Sequence, residues 1–238
     1  MLCEDTRRSG ILLERYGIKK RLVSYHQFKE KQALNGILKW LEEGRDLALV
    51  SDAGTPCIND PGQLLVEACI ARGIPFSAIP GPCSVIQALV VSGFDTSRFQ
   101  FLGFLPRKPE AVLQQAVCYP GTTVAFESPE RLCDTLEAIA VIDPERKLAV
   151  AREMTKTFEE CRRGLASELL SHFQAHSPKG EIVLLIQGGR GKEEAMDLEE
   201  LVQMLQELHG LSLKEAIKLA ARFKQLPKSF VYNQIHQK

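Results

Sequence analysis

The chain has 238 residues, 45% of them hydrophobic, with thirty Lys or Arg balanced by thirty Asp or Glu. That is enough apolar material for the cores of two ordinary domains, and zero formal net charge excludes a global field as the means of holding a nucleic acid, so such a partner must meet local patches. Seven cysteines without a C-x-x-C pair exclude a disulfide framework and a zinc ribbon, and the absence of a signal peptide or a bilayer-length apolar run points to a soluble, cytoplasmic protein.

Charge is segregated along the chain. Residues 1–31 carry eight Lys or Arg against four acids, 191–207 one Lys against six acids, and 212–238 six Lys or Arg against Glu215 alone. Glu4-Asp-Thr-Arg7 opens the chain and leads into an amphipathic stretch from Ser9 to Tyr16 that Gly17 interrupts. Arg21 to Tyr25 reads as a brief strand, and Lys29 to Glu43 as a helix with Leu34, Ile37, Leu38 and Leu41 on one side. Leu47 to Val50 is a continuous apolar run, which predicts an interior parallel strand. It runs into Ser51 to Asn59, rich in turn-forming residues, whose backbone groups need partners outside a ladder, and a ligand is one such partner. Asp60-Pro61 reads as the N-cap and first residue of the next helix.

Pro75 to Ile79 is read as another strand with a rigid exit at Pro80-Gly-Pro82, followed by a small apolar helix from Cys83 to Val91. Phe99 to Phe104 is a strand, and Leu105-Pro-Arg-Lys-Pro109 reads as the boundary between a first domain, 1–105, and a second, 106–190. The second half alternates again: strands at 123–126, 147–152 and 181–186, and helices from Ser128 to about Ala140 and from Ala166 to Ala175. Gly188-Gly189 and the charged run after it read as a linker to a helical tail, 191–238, with capping boxes at Asp197/Glu200 and Ser212/Glu215 and a last helix near Lys228. The expected fold class is α/β, two α/β domains plus this small helical segment. His172 and His176 share a helix face at i, i+4, but no second ligand pair accompanies them, so no metal site is assigned.

Seven motifs occur in order: EDTR (4–7), SDAGTP with NDPG (51–62), IPGPCSV (79–85), GFLPRK (103–108), FESPERL (126–132), AREMTKTFEE (151–160) and KGEIVLLI (179–186). Together they resemble the tetrapyrrole methylase superfamily over nearly the whole chain, and within it the ribosomal branch that 2′-O-methylates a cytidine ribose of 16S rRNA. The resemblance implies S-adenosylmethionine as methyl donor, held in a cleft between the two α/β domains, and homodimers. It implies that Thr55, Pro56 and Ile58, with Cys83 and Ser84, meet the donor from the first domain, and Phe126, Glu127, Glu181 and Ile182 from the second. Cys83 and Ile182 suit ordinary core packing equally well.

The proton of the attacking hydroxyl must leave, and the candidates nearest to it are Lys156 and Glu153, with Glu4, Asp5, Thr155 and Glu159 as further possibilities; a structural ion-pair cluster is the competing reading of the same residues. Arg107, Lys108 and Arg152 suit phosphate contacts. The tail resembles a helix-turn-helix, with Lys214, Lys218, Arg222, Lys224 and Lys228 facing an RNA backbone, or else a solvated amphipathic hairpin. In one respect the chain departs from the pattern. In the family EDTR follows a first strand, a Thr-Pro-Ile-Gly-Asn type loop and a helix, and none of these precedes Met1. Weak donor binding is therefore expected of the chain as written, and two rival readings stand beside the rRNA enzyme: a small-molecule (tetrapyrrole or corrin) methylase and a non-catalytic RNA-binding remnant.

Overall fold

The structure is a computed structural model that describes residues 1–189, 197–224 and 226–236. Its contacts divide it into two compact units, Met1–Ala88 and Leu89–Lys238.

The first unit has a three-stranded parallel sheet in the order β2-β1-β3, from β1 (Leu2–Cys3), β2 (Val23–Ser24) and β3 (Leu49–Val50). Helix α1 (Thr6–Arg15) starts where the Asp5 carboxylate accepts from the Arg7 N–H at 2.8 Å, satisfying one of the free donors of the first turn. Helix α2 (Glu30–Glu42) buries Ile37 and Leu38, and α3 (Gln63–Ala71) buries Leu65 and Cys69; with Leu2 and Tyr25 these side chains make the core. Three expectations need correction here. The run Leu47 to Val50 is not interior: among the described residues β3 pairs only with β1, at the edge, and both its residues are half-buried. Pro75 to Ile79 forms no strand. It has no pairing partner among the described residues, its flanking prolines lack N–H groups, and Ile79 is 90% exposed. Finally, α3 starts later than Asp60-Pro61, with Gly62 at the N-cap position in a φ of 138°. A Cβ there would come within 2.6 Å of both Leu49 Cδ2 and Cys57 Sγ, so only glycine fits.

The second unit begins within α4 (Ser84–Ser92) and is built on a five-stranded mixed sheet in the order β4-β5-β8-β6-β7. The strands are β4 (Phe99–Phe104), β5 (Thr122–Glu127), β6 (Lys147–Arg152), β7 (Glu160–Leu165) and β8 (Ile182–Ile186). Only β4 and β5 run parallel; β8 is antiparallel to both its neighbours, and β7 to β6. By its pairing with β5, β4 belongs to the second unit. Helices α5 (Glu110–Cys118), α6 (Leu132–Ile142) and α7 (Ala166–Ala175) pack Leu113, Leu136, Ile139, Leu169 and Phe173 onto the apolar run of β8, all five residues of which are buried. Residues 129–131 are turn, so α6 starts after Ser128-Pro129. The sequence reading missed β1, α5 and β7.

The last three helices, α8 (Leu198–His209), α9 (Leu213–Phe223) and α10 (Lys228–His236), have a core of their own: Leu201, Val202, Leu205, Ala216, Ile217, Ala220, Ala221 and Val231. Leu213, at the first position of α9, is exposed. The Asp197/Glu200 capping box is closed by bonds of 2.8 and 3.4 Å, and the Ser212 N–H and hydroxyl both donate to Glu215. Residues 190–196, most of the expected linker, lie outside the described residues. No helix of the described residues is long and apolar enough to cross a membrane.

Glu30 is the main polar tie of the first core. Its carboxylate, buried at the start of α2, accepts from the Tyr25 hydroxyl at 3.0 Å and from the Gly62 N–H at 2.9 Å, joining β2, α2 and the end of the 51–62 loop. Replacement by alanine strands two buried donors at about 1 to 3 kcal/mol each. Glu30→Ala is therefore expected to lower the urea midpoint of the first unit well beyond what Glu43→Ala, on an exposed carboxylate, does; equal midpoints would show that water replaces the bonds.

Candidate active site

In the first unit the loop 51–62 folds against the turn before α4. The Thr55 hydroxyl donates to the Pro82 carbonyl at 2.8 Å, and the Ser51 hydroxyl bonds the Ala53 and Gly54 carbonyls at 3.1 and 3.2 Å. Thr55, Pro56, Cys83 and Ser84 are half-buried, and Ile58 is exposed. Ser84 opens α4, whose first N–H groups point along the helix axis with the positive end of its dipole. The Thr55–Pro82 bond thus sets the loop carrying Thr55, Pro56 and Ile58 beside Cys83 and Ser84, the five residues expected from this half of the sequence. They offer what a sulfonium amino acid needs: half-buried apolar walls, hydroxyls, and helix N–H groups for a carboxylate.

In the second unit the candidates gather at one end of the sheet. Glu127 closes β5, Ile182 opens β8, Arg152 closes β6 and Glu160 opens β7, and the register aligns them: Glu127 with Ile182, Ile182 with Arg152, Arg152 with Glu160. Phe126 and Glu181 flank this row. Just beyond it, the turn after β6 holds an ion cluster. Lys156 Nζ donates to Glu153 Oε1 at 2.8 Å and to Glu181 Oε2 at 3.1 Å, and the Glu181 N–H donates to the same Glu153 oxygen at 2.9 Å. The bond to Lys156, then that from the Glu181 backbone, hold the Glu153 carboxyl below its usual range. The bond to Glu153 outweighs desolvation and raises the Lys156 ammonium above its ordinary value. At neutral pH the pair is fully ionised, so Lys156 acts here as a donor and not as a proton acceptor. Gly180 is required by the same packing, since a Cβ there would fall 2.2 Å from Glu153 Oε1.

Two assigned residues are engaged internally. The side chain of Glu127 is fully buried and accepts from the Ser128 N–H and the Thr135 hydroxyl, each at 2.7 Å, and from Arg131 at 2.5 Å. Arg152 pairs with Glu160 at 3.0 Å and reaches the Lys179 carbonyl at 3.5 Å. By contrast Arg107, Lys108, Lys214, Lys218, Arg222 and Lys228 are exposed, and Lys224 is half-buried. Glu4 lies half-buried beside β1, Asp5 caps α1, and the Glu159 carboxylate accepts from the Thr155 N–H at 2.6 Å. His172 and His176 stack with centroids 4.8 Å apart, and His172 lies 3.8 Å from Glu160. Among the described residues no group of three His, Cys, Asp or Glu is placed to hold a metal.

Backbone strain marks the same two loops. The four non-glycine residues with positive φ among those described are Cys57 and Asn59, in the 51–62 loop, and Glu153 and Thr155, in the turn after β6. Left-handed backbone at such residues is uncommon and concentrates at functional sites. Cys57 directly follows SDAGTP and Glu153 and Thr155 lie within AREMTK; of the four only Asn59 is a type that often adopts this conformation, so the sequence gives little hint of it.

Residues 2–170 match the family described as Tetrapyrrole (Corrin/Porphyrin) Methylases. The chain belongs to that family. It is 40% identical over 235 residues to the Ribosomal RNA small subunit methyltransferase I of Escherichia coli O157:H7, covering 96% of this chain and 82% of the relative. It is 45% identical over 190 residues to the protein of the same name from Thermotoga maritima, covering 79% and 86%. Among solved structures, a diphthine synthase superposes with a TM-score of 0.57 at 14% identity, covering 74% of this chain and 72% of that one. A uroporphyrin-III C-methyltransferase from Thermus thermophilus complexed with S-adenosyl homocysteine gives 0.52 at 13%, covering 78% and 83%. These structural likenesses establish the shared fold.

The Glu153 pairing generates a titration prediction. A lowered carboxyl contributes stability that is present above its unfolded range and lost as pH falls through the folded value. A raised lysine contributes stability that is present below its unfolded range and lost as pH climbs through the folded one. The turn after β6 should therefore hold its geometry across the whole interval between the ordinary carboxylate and lysine ranges. Glu153→Gln is expected to bring the Lys156 ammonium pKa down, read from the Lys156 side-chain NMR shifts against pH; an unmoved titration would show that Glu181 alone holds the ammonium.

Proposed function

We propose that this chain transfers a methyl group from S-adenosylmethionine to the 2′-hydroxyl of a cytidine ribose in the 16S RNA of the small ribosomal subunit. The observation that carries this reading is identity along nearly the full chain to relatives named for small-subunit ribosomal RNA. The two strained loops supply the places where donor and hydroxyl would be held.

The fit of the donor is argued from the residues present. Thr55, Pro56, Ile58, Cys83, Ser84, Phe126, Glu181 and Ile182 would hold it, and Glu127 would act through its internal bonds. When bound, the donor supplies an electrophilic methyl group on a sulfonium. The chain itself contributes alignment, and holding two reactants in line is worth about 7 to 11 kcal/mol of barrier. Lys156 stands as an ammonium between two carboxylates, where it donates to a substrate oxygen, and Glu153 keeps it aimed. Since Lys156 enters protonated and the Glu153 carboxylate already accepts two bonds, the hydroxyl proton leaves to solvent in this arrangement.

RNA would be held by cations, and by the basic tail above all. Arg107, Lys108, Lys214, Lys218, Arg222 and Lys228 are exposed, and among the described residues none makes a close ion pair like the one that occupies Arg152. Six phosphate contacts on a single strand imply a slope of log K against log salt of about −4. A corrin or porphyrin substrate, the first rival, carries no condensed counterion atmosphere and gives a shallower dependence. Homodimerisation and a cytoplasmic location complete the reading, the former checked by the mass in solution at micromolar protein.

The deciding experiment incubates the chain with methyl-labelled donor and small ribosomal subunits lacking the modification. Label is expected in a nucleotide that resists alkaline cleavage, as a 2′-O-methylated ribose does. Label in a base, or none, overturns the reading. Lys156→Met is expected to reduce kcat by at least tenfold, about 1.4 kcal/mol, with the donor Kd little changed. Removal of residues 197–238, a module with its own core, should weaken RNA binding and leave donor binding in calorimetry as it was; equal loss of both would place the helices in the core of the enzyme.

A further inference from the structure

At the end of β4 an aromatic ring faces solvent for no structural reason. Phe104 is 60% exposed, yet it closes a strand in which Leu102 packs against the core and the next residue, Leu105, is buried. A backbone irregularity puts it there. Phe101 pairs with Val124 and Phe104 with Phe126, so three residues of β4 oppose two of β5, and Gly103 takes the extra step at a φ of 68°. Side chains three apart on a regular strand point to opposite faces; the bulge turns Phe104 onto the face of Phe101. Both rings then meet Phe126, with centroids 5.0 and 5.2 Å away.

The position is rigid on both sides. The Leu105 N–H donates to the Phe126 carbonyl at 3.0 Å, and the Leu105 carbonyl accepts from Arg131 at 2.9 Å, the arginine itself paired with the buried Glu127. The ring also stands at the end of the sheet where the candidate residues gather, since Phe104 pairs with Phe126, the neighbour of Glu127. Two exposed cations, Arg107 and Lys108, follow within four residues.

We propose that Phe104, backed by Phe126 and Phe101, is a stacking platform for an unpaired base of the RNA substrate, with Arg107 and Lys108 taking the phosphates that flank it. The proposal rests on the rRNA reading above and deepens it. A rigid aromatic face next to exposed cations fits a nucleotide on both counts: every base has a π-face, and every linkage carries a negative charge. A nucleotide whose ribose is to be reached must leave its helix, and an unstacked base needs a surface of this kind. An apolar contact with a second copy of the chain would need neither the bulge nor the two charges beside it.

The test is equilibrium binding of the full chain to a fluorescent single-stranded oligocytidine at several salt concentrations. Phe104→Ala is expected to weaken binding about 5- to 100-fold, the range for loss of one base–aromatic stack, with an unchanged slope against salt. Phe104→Trp should restore affinity. Phe104→Leu, which keeps an apolar side chain against Phe126 and guards against a folding defect, should weaken binding like alanine. Arg107→Ala should instead lower the slope by about 0.7. If the Phe104 variants bind as the parent does while Arg107→Ala weakens binding, the platform is wrong and the RNA reading stands. If the parent chain binds no oligocytidine even at low salt, the RNA reading fails and the platform with it. A fall in oligomeric mass in Phe104→Ala would also overturn the proposal, because the ring would then belong to a contact between copies.

Discussion

The second unit is organised around one buried carboxylate. Glu127 has no exposed side-chain surface, and three donors converge on it: the Ser128 N–H, the Thr135 hydroxyl and the Arg131 guanidinium. A buried ion pair of this kind adds little net stability over an apolar replacement, but losing one partner costs about 3 to 5 kcal/mol because the other is left charged and unpaired. Its effect here is geometric. Through Thr135 it fixes α6 to the exit of β5, and through Arg131 it grips the Leu105 carbonyl at the exit of β4. Three chain segments that would otherwise end separately are drawn to one edge of the sheet, and the candidate residues of that half occupy the same edge.

The loops on which the candidate residues sit contrast with this rigid support. Cys57, Asn59, Glu153 and Thr155 hold backbone conformations that cost free energy, and each strained turn is over-determined by nearby bonds. Gly62 and Glu30 close the first loop, while Lys156, Glu181 and Glu159 close the second. Strain of this sort persists only where a scaffold offsets it, which is why both loops emerge directly from strands.

How much of this could be read from the sequence depended on whether local pattern and tertiary context agreed. Phe99–Phe104, Lys147–Arg152 and Ala166–Ala175 appear with the bounds their periodicity suggests, because their apolar residues match the face they bury. β7 escaped notice because ECRRGL carries little apolar signal; it is a strand through its pairing with β6, a long-range fact. Pro75 to Ile79 has strand-like residues but no neighbour to pair with, so the pattern misled. For the site, motif order located the loops, and charge located the cations. What stayed hidden was which charges are already spent: nothing in FESPERL or AREMTK reveals that Glu127 and Arg152 face internal partners while Lys108 does not. The bulge at Gly103 was equally silent, since one glycine in a strand signals many things.

The central strand of the larger sheet is the last to be synthesised. β8 lies between β5 and β6, so the two cannot pair with each other and must wait, side by side and unjoined, for a segment some sixty residues beyond β5. β6 and β7 can zip together at once across their short turn, but closure of such a distant pairing is slow on folding timescales. Insertion of Ile182–Ile186 then does two things in one event. It completes the apolar core, and it delivers Glu181 to Glu153 and Lys156. A nascent chain therefore has no assembled charge cluster until its sheet is whole.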